Sequence, residues 1–380
     1  MRQSTKNLLQ LLAQNANASF DDAQSLPPSI YHSSEILKLE QEHLFCKEWI
    51  CIGRTAEILD QGDFLCRDIV DAPVFVVRQR DQSVKAFANV CVHRSSRLLS
   101  GAGHVSRISC PYHSWTYELD GQLIGAPFMD KTPGFDVAHH KLKELACEIW
   151  QGFIFVSLQA EPKPVDERLG VLTELVGDFR MTNYVPVFDV EETWNTNWKC
   201  LVENFMDAYH LHRVHKKSFG KYGSSEDQTH LFPGEDAFTY HYVHEDEGPR
   251  SVNAHPDNTW LQGPDRLRTW LINIFPSHVI QLQPDMLWYL SILPDGLDKV
   301  NIRWAVSIPA EILDAAKVRQ AEIDEVMALI HQVNGEDRPI VENVFQATGS
   351  PDAIQGPLSW LERNVWEFGR YLARQLANNL

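Results

Sequence analysis

Cys91-Val92-His93-Arg94-Ser95 and Cys110-Pro111-Tyr112-His113-Ser114-Trp115 are the two stretches whose reading decides the fold of this chain. Each offers one thiol followed by one imidazole, and sixteen residues separate them. Four nitrogen and sulfur donors on two short loops suffice for a metal centre. Zinc sites commonly pair cysteine with cysteine and histidine with histidine. A two-iron cluster with two thiolates on one iron and two imidazoles on the other needs one of each from both loops, so order and spacing favour a [2Fe-2S] centre over zinc. His104 lies between the loops but outside the pattern and reads as a surface residue.

Short runs rich in β-branched and aromatic residues surround these loops: Trp49 to Ile52, Phe64 to Val70, Pro73 to Val77, Val84 to Val90, Trp115 to Leu119 and Ile149 to Leu158. They predict strands separated by turns such as Asp120-Gly121. A small all-β domain therefore spans 45–162, closed by Glu161-Pro162-Lys163-Pro164. Before it, 1–44 reads as a helical segment, with a helix expected over Glu35 to Glu48.

The remainder, 163–380, mixes helix and strand. Ala237 to Val243 alternates, and strands at Trp270 to Phe275, Val279 to Leu282, Leu287 to Leu293 and Val300 to Ile308 predict an antiparallel sheet. Two long helices follow. One runs from Ala310 to Val333 and stops at Asn334-Gly335; the other starts at the capping box Ser359-Trp360-Leu361-Glu362.

Composition bounds the partners. The chain has 380 residues, about two domains' worth, with 44% hydrophobic and 22% charged residues, as in ordinary globular proteins. With 34 basic against 51 acidic residues, a net charge of -17, it lacks the basic excess that nucleic-acid binding requires and suits a basic partner protein. No apolar run reaches the roughly 18 residues of a membrane span. Leu8, Leu9, Leu11 and Leu12 are interrupted by Gln10 and too short for a signal core, so the start reads as an amphipathic helix of a cytoplasmic protein. Seven cysteines, an odd count, fit a reducing compartment.

A second constellation runs from Asn197 through Glu203-Asn204, Asp207, Tyr209-His210, His212 and His215. Leu201, Phe205 and Ala208 recur at helical spacing. His210 and His215, five apart, stand roughly 140° out of line on a regular helix. If both hold one metal, the helix must break or bulge between them, and His212 competes for the role. Three histidines in six residues also read as a solvated basic turn with Arg213 and Lys216.

With both patterns in view, the chain resembles the Rieske non-haem iron oxygenases, the α subunits of aromatic-ring-hydroxylating dioxygenases and of quaternary-amine monooxygenases. The resemblance rests on Cys91-Val92-His93-Arg94, Cys110-Pro111-Tyr112-His113-Ser114-Trp115 and the Glu203 to His215 signature. It implies an α+β architecture: a small all-β Rieske domain, and a larger helix-grip-like catalytic domain with an antiparallel sheet and long C-terminal helices. Cys91, His93, Cys110 and His113 would carry the [2Fe-2S] Rieske cluster. His210 and His215 would hold mononuclear Fe(II) with a carboxylate from the C-terminal region, Asp337 before Glu336 or Glu342. Asn204 and Asp207 are the catalytic residues it implies besides the ligands, Asp207 linking the iron to a cluster ligand of a neighbouring subunit.

A homotrimer follows from that link, with or without a small β subunit. A separate reductase, with or without a ferredoxin, would bring electrons from NAD(P)H. O2 would be the co-substrate, used to hydroxylate or oxidatively demethylate a small aromatic or quaternary-amine molecule. An electron carrier fused to a non-catalytic binding domain is the alternative. The chain departs from the family at Ser95 and Ser114, where glycine is common. Either a seryl hydroxyl bonds a cluster sulfur and tunes its potential, or the backbone there is not left-handed and tolerates serine. Phe205, Trp270, Phe275, Trp288 and Tyr289 are candidates for a pocket or for core, and Lys216 to Asp236, with Gly220, Gly223 and Gly234, for a lid or a plain loop.

Overall fold

The computed structural model describes residues 3–218, 226–244, 254–315 and 320–377. They form two compact units, Phe45–Glu167 and Met1–Leu44 with Arg168–Leu380. In the first, strands β1 (Ile50–Arg54), β2 (Asp63–Ile69), β3 (Ala72–Arg78), β4 (Val84–Ala88), β5 (Ala102–His104), β6 (Ile108–Ser109), β7 (Thr116–Tyr117), β8 (Leu123–Gly125), β9 (Glu144–Trp150) and β10 (Phe153–Ser157) make two sheets. Their orders are β1-β10-β9-β4-β3-β2-β5 and β6-β7-β8, all antiparallel. The run expected as one strand over Ile149 to Leu158 is instead a hairpin. Gln151 (φ 48°) and Gly152 (φ 81°) are both left-handed, the conformation that tight hairpin turns demand.

In the second unit, β11 (Tyr184–Trp194), β12 (Thr229–Leu231), β13 (Phe238–His244), β14 (Arg268–Ile274), β15 (His278–Gln283), β16 (Met286–Pro294) and β17 (Val300–Pro309) form one sheet in the order β11-β17-β16-β15-β14-β13-β12. Every pairing is antiparallel. β12 falls within the expected lid, and 219–225 of that segment lie outside the described residues. No helix among the described residues is long and apolar enough to cross a membrane.

The helices are α1 (Gln3–Asn17), α2 (Ser34–Glu40), α3 (Val165–Val176), α4 (Trp198–Met206), α5 (Leu211–Val214), α6 (Ala310–Ala315), α7 (Gln320–Thr348) and α8 (Arg363–Leu376). The helix expected over Glu35 to Glu48 is α2 followed by a π-helical turn, Gln41–Phe45. α8 starts as read, from the Ser359 to Glu362 capping box. α7 corrects the sequence reading: it continues through Asn334-Gly335 and past Pro339. Gly and Pro cost about 1 and 3 kcal/mol inside a helix. The buried stripe Ile330, Val333, Asp337, Val341 and Phe345 offsets that cost by packing. Asp337 therefore projects from a helix interior and does not follow a helix end.

Candidate metal centres and substrate cavity

The two cysteine-histidine loops are built alike. Cys91 N donates to Ser96 O (2.8 Å) and Cys91 O accepts from Ser95 N (2.9 Å); Cys110 N donates to Trp115 O (2.8 Å) and Cys110 O accepts from Ser114 N (3.0 Å). Each loop closes on a left-handed residue, Ser95 at φ 56° and Ser114 at φ 60°. This overturns the expectation that serine sits there because the backbone is not left-handed. Among the described residues neither hydroxyl is hydrogen-bonded to a cysteine sulfur. Tyr117 is the residue that reaches one, with its hydroxyl 3.1 Å from Cys91 Sγ.

His93 stacks on the buried Trp115 at 4.6 Å and lies edge-on to His113 at 4.7 Å. Nδ1 of both histidines is buried without a hydrogen-bond partner. Burial pushes the Cys110 thiol up, but backbone N–H groups of Tyr112 and His113 outweigh it and favour the thiolate. Two orphaned imidazole nitrogens beside two thiols, one held toward its thiolate, fit a cluster of mixed ligation. His104 stands apart, paired with Asp63 at 3.0 Å.

In the second unit the helix does break, but ahead of His210 and not between His210 and His215 as expected. α4 starts on Asn197, whose side chain accepts from Lys199 N, and ends at Asp207, whose backbone is extended. Asp207 Oδ1 accepts from Tyr209 N at 2.6 Å, a local turn that competes with the helix. One further helical turn, α5, then separates His210 from His215. The break lies before His210, and a single turn between the two histidines lets both rings face one point.

His210 Nε2 and His215 Nε2 are 3.2 Å apart, and Asp337 Oδ1 lies 3.5 and 3.1 Å from them. The point equidistant from all three in their plane is about 1.9 Å from each, close to the roughly 2.0–2.2 Å at which transition metals hold nitrogen and oxygen. Asp337 Oδ1 is buried and makes no hydrogen bond of acceptable angle. His215 Nδ1 donates to Glu336 Oε2 at 3.0 Å, so Nε2 carries the lone pair. His210 Nδ1 stands 3.4 Å from Asp207 Oδ2. Burial lowers the pKa of His210, but Asp207 and Asp337 outweigh it and raise it to about 9. Burial raises that of Asp337, and the two imidazoles bring it down to about 2. Two imidazoles and a carboxylate drawn together call for a cation at their centre, which would take the place of the proton that the carboxylates favour on His210.

The competing residues go elsewhere. His212 bonds Tyr209 O at 2.7 Å, and Glu342 takes Arg338 Nε and Asn195 N, both at 3.0 Å. Glu336 is held by Ser218 Oγ (2.6 Å) and Gln332 Nε2 (3.0 Å) while it orients His215. The sequence reading had it only as a rival ligand; its place beside Asp337 on a helix was the available signal.

A cavity of about 260 Å³ opens on the triad. Its floor is the sheet, where one cross-strand row presents His241, Leu271, Gln281 and Trp288 and the next presents Val243, Thr269, Gln283 and Met286. α7 contributes Val326, Leu329, Ile330 and Val333 at helical spacing; Asn204, Phe205, Asp207 and Leu211 complete the wall. Of the aromatic candidates, only Phe205 and Trp288 line it, their rings 5.7 Å apart. Phe275 stacks on Tyr371 at 4.4 Å, Trp270 sits between Tyr240 and Tyr242, and Tyr289 accepts from Arg303. Sequence reasoning missed His241 and Gln281, which only the strand register brings to one face.

Comparison with known proteins bears on the family of the two units. The family described as ring hydroxylating alpha subunit (catalytic domain) matches residues 179–378, and the Rieske [2Fe-2S] domain matches 48–140. A glycine betaine monooxygenase oxygenase subunit of Chromohalobacter salexigens is 38% identical over 192 residues, 50% of this chain and 43% of that one. The chain spans about half the length of the curated relatives it matches. In fold it is similar to a crystal structure of a quaternary ammonium Rieske monooxygenase (TM-score 0.82, 23% identity, 95% and 97% of the two chains). It is likewise similar to naphthalene 1,2-dioxygenase from Rhodococcus sp. (TM-score 0.83, 19% identity, 99% of each). Nothing in these likenesses supports an electron carrier fused to a non-catalytic domain.

Proposed function

Because the chain belongs to the family of ring-hydroxylating α subunits, with a Rieske [2Fe-2S] domain beside the catalytic one, we propose that it is the oxygenase component of a multicomponent enzyme. It uses O2 and electrons that a separate reductase draws from NAD(P)H to hydroxylate or oxidatively demethylate a small aromatic or quaternary-amine substrate. The observation that carries this reading is the convergence of His210 Nε2, His215 Nε2 and Asp337 Oδ1 on the wall of an apolar cavity. Iron bound there supplies dioxygen activation, and a cluster on Cys91, His93, Cys110 and His113 supplies stored electrons.

The chain's own residues do the rest. Glu336 bonds the outer nitrogen of His215 and keeps its inner nitrogen free to bind, and Asp207 stands 3.4 Å from the outer nitrogen of His210. The aliphatic stripe of α7 keeps water from the cavity. Asp207 stands on the broken segment between α4 and α5, and in this reading it is the carboxylate that would pass electrons from a neighbouring subunit's cluster in a homotrimer. The seven unbridged cysteines support a cytoplasmic setting.

The test is dioxygen uptake by the purified, metal-loaded protein with a generic reductase and NADH, across aromatic acids and betaine-like amines. Stoichiometric product is expected with one class. Absence of uptake with a cluster that the reductase does reduce contradicts the proposal. Asp207→Asn should keep both metals yet leave the reduced cluster unable to reoxidise on turnover.

A further inference from the structure

The floor of the cavity carries a polar feature that the metal triad does not use. Gln281 is 8% exposed and its side-chain amide makes no hydrogen bond among the described residues, although it lines the cavity. The amide is not enclosed by protein atoms but faces the cavity, where a polar group of a ligand can bond it. Two strands away in the same row stands His241, 1% exposed. Its Nδ1 meets Asn364 Oδ1 at 3.1 Å, while Asn364 Nδ2 donates to Thr239 Oγ1 and Tyr240 O. Asn364 has thus committed its N–H groups and accepts from His241, which leaves His241 Nε2 as an acceptor. Burial keeps this imidazole neutral, at a pKa of about 4.

Between Gln281 and His241 lies Leu271. Strands are about 4.8 Å apart, so a small group resting on Leu271 is within reach of both side chains. The charged groups lining the cavity among the described residues are Asp207 and the triad. Among the described residues no lysine or arginine lines it to pair with a carboxylate. Phe205 and Trp288 give two aromatic faces on one side, short of the enclosure that holds a methylated ammonium.

Resting on the oxygenase reading, we infer that Gln281 and His241 are specificity-determining residues that select an uncharged substrate, an apolar ring bearing a carboxamide-like head that both accepts and donates. The head's carbonyl takes a hydrogen bond from the Gln281 amide and its N–H donates to His241 Nε2. The ring lies toward Phe205 and the α7 stripe.

Three probes with one body and different heads test this: benzamide, benzoate and phenyltrimethylammonium, titrated calorimetrically into the anaerobic, metal-loaded protein. Benzamide should bind at least about tenfold tighter than either ion. Gln281→Leu and the closer-shaped Gln281→Met should each weaken benzamide about tenfold and erase its preference, with iron content and visible spectrum unchanged. Either ion binding as tightly as benzamide, no binding by any probe, or an unaltered preference in both variants overturns the inference. Iron content and dioxygen uptake on the same preparation judge the oxygenase reading separately. A protein that holds the iron and oxidises a quaternary amine keeps that reading and loses this inference.

Discussion

Glu336 is the residue whose removal most sharply probes how the triad is held. Its Oε2 accepts from His215 Nδ1 at 3.0 Å and from Ser218 Oγ at 2.6 Å, and Oε1 accepts from Gln332. Burial pushes its carboxyl up, yet bonds from Ser218, His215 and Gln332 outweigh that and hold it ionised. Glu336→Ala removes the acceptor that fixes the tautomer of His215, whose ring is 2% exposed. Outer partners of metal-bound histidines are worth roughly 10- to 100-fold in metal affinity, about 1.4–2.8 kcal/mol. Glu336→Gln keeps a neutral acceptor and should lose less. Anaerobic competition of the protein with a ferrous chelator reads the affinity directly. Asp337→Asn, which alters a ligand, sets the scale of full loss. An iron affinity in Glu336→Ala equal to that of the parent would falsify the assignment of Glu336 as the group that orients His215.

Other outcomes follow from the same geometry. Tyr117→Phe deletes the hydroxyl 3.1 Å from Cys91 Sγ; it should lower the cluster's midpoint potential by about 40 mV, the one-electron equivalent of about 1 kcal/mol, because that bond favours the electron-rich reduced form. Square-wave voltammetry reads the shift, and an unchanged potential contradicts it. Ser95→Gly and Ser114→Gly each relieve a left-handed serine and should stabilise the unit by about 0.5–1 kcal/mol without moving the potential, as thermal unfolding with voltammetry will show. His241 has a folded pKa of about 4 against an ordinary 6.5, depressed by burial, so the unfolded chain takes the proton first as pH falls. Stability from the neutral ring is complete above pH 6.5 and declines toward pH 4 by roughly 3 kcal/mol. Denaturant unfolding at pH 7, 5.5 and 4.5 should show that decline in the parent and a much smaller one in His241→Gln. Asp207 is the charged neighbour that opposes the shift.

The cluster loops were legible in the sequence because Cys and His are informative types and the loops are too short to be anything else. Their backbone was not: that Ser95 and Ser114 are left-handed is set by the loop closures onto Cys91 and Cys110, which leave no room for choice. His210 and His215 were legible as a pair, but the break expected between them lies instead at the Asp207 turn ahead of both. Asp337 was reached through resemblance, while Asn334-Gly335 and Pro339 misdirected the reading of its backbone, since local propensity carries no knowledge of the buried face of α7. The edge strand β11 escaped notice because Pro186, Asp189, Glu191 and Glu192 spoil its pattern. Pro186 sits at the register shift where a strand tolerates it. His241 and Gln281 had no local signal, being interleaved with the aromatic residues Tyr240 and Tyr242 or set in an apolar run. Only the pairing of β13, β14 and β15 makes them one surface.

Iron quantification on anaerobically reconstituted protein, combined with electron paramagnetic resonance, tests the central claim most directly. The account predicts two irons in a Rieske-type cluster and one more per chain, with the third alone missing in His210→Ala and Asp337→Ala. A parent that saturates at the cluster's two irons, or variants that keep the third, would contradict it.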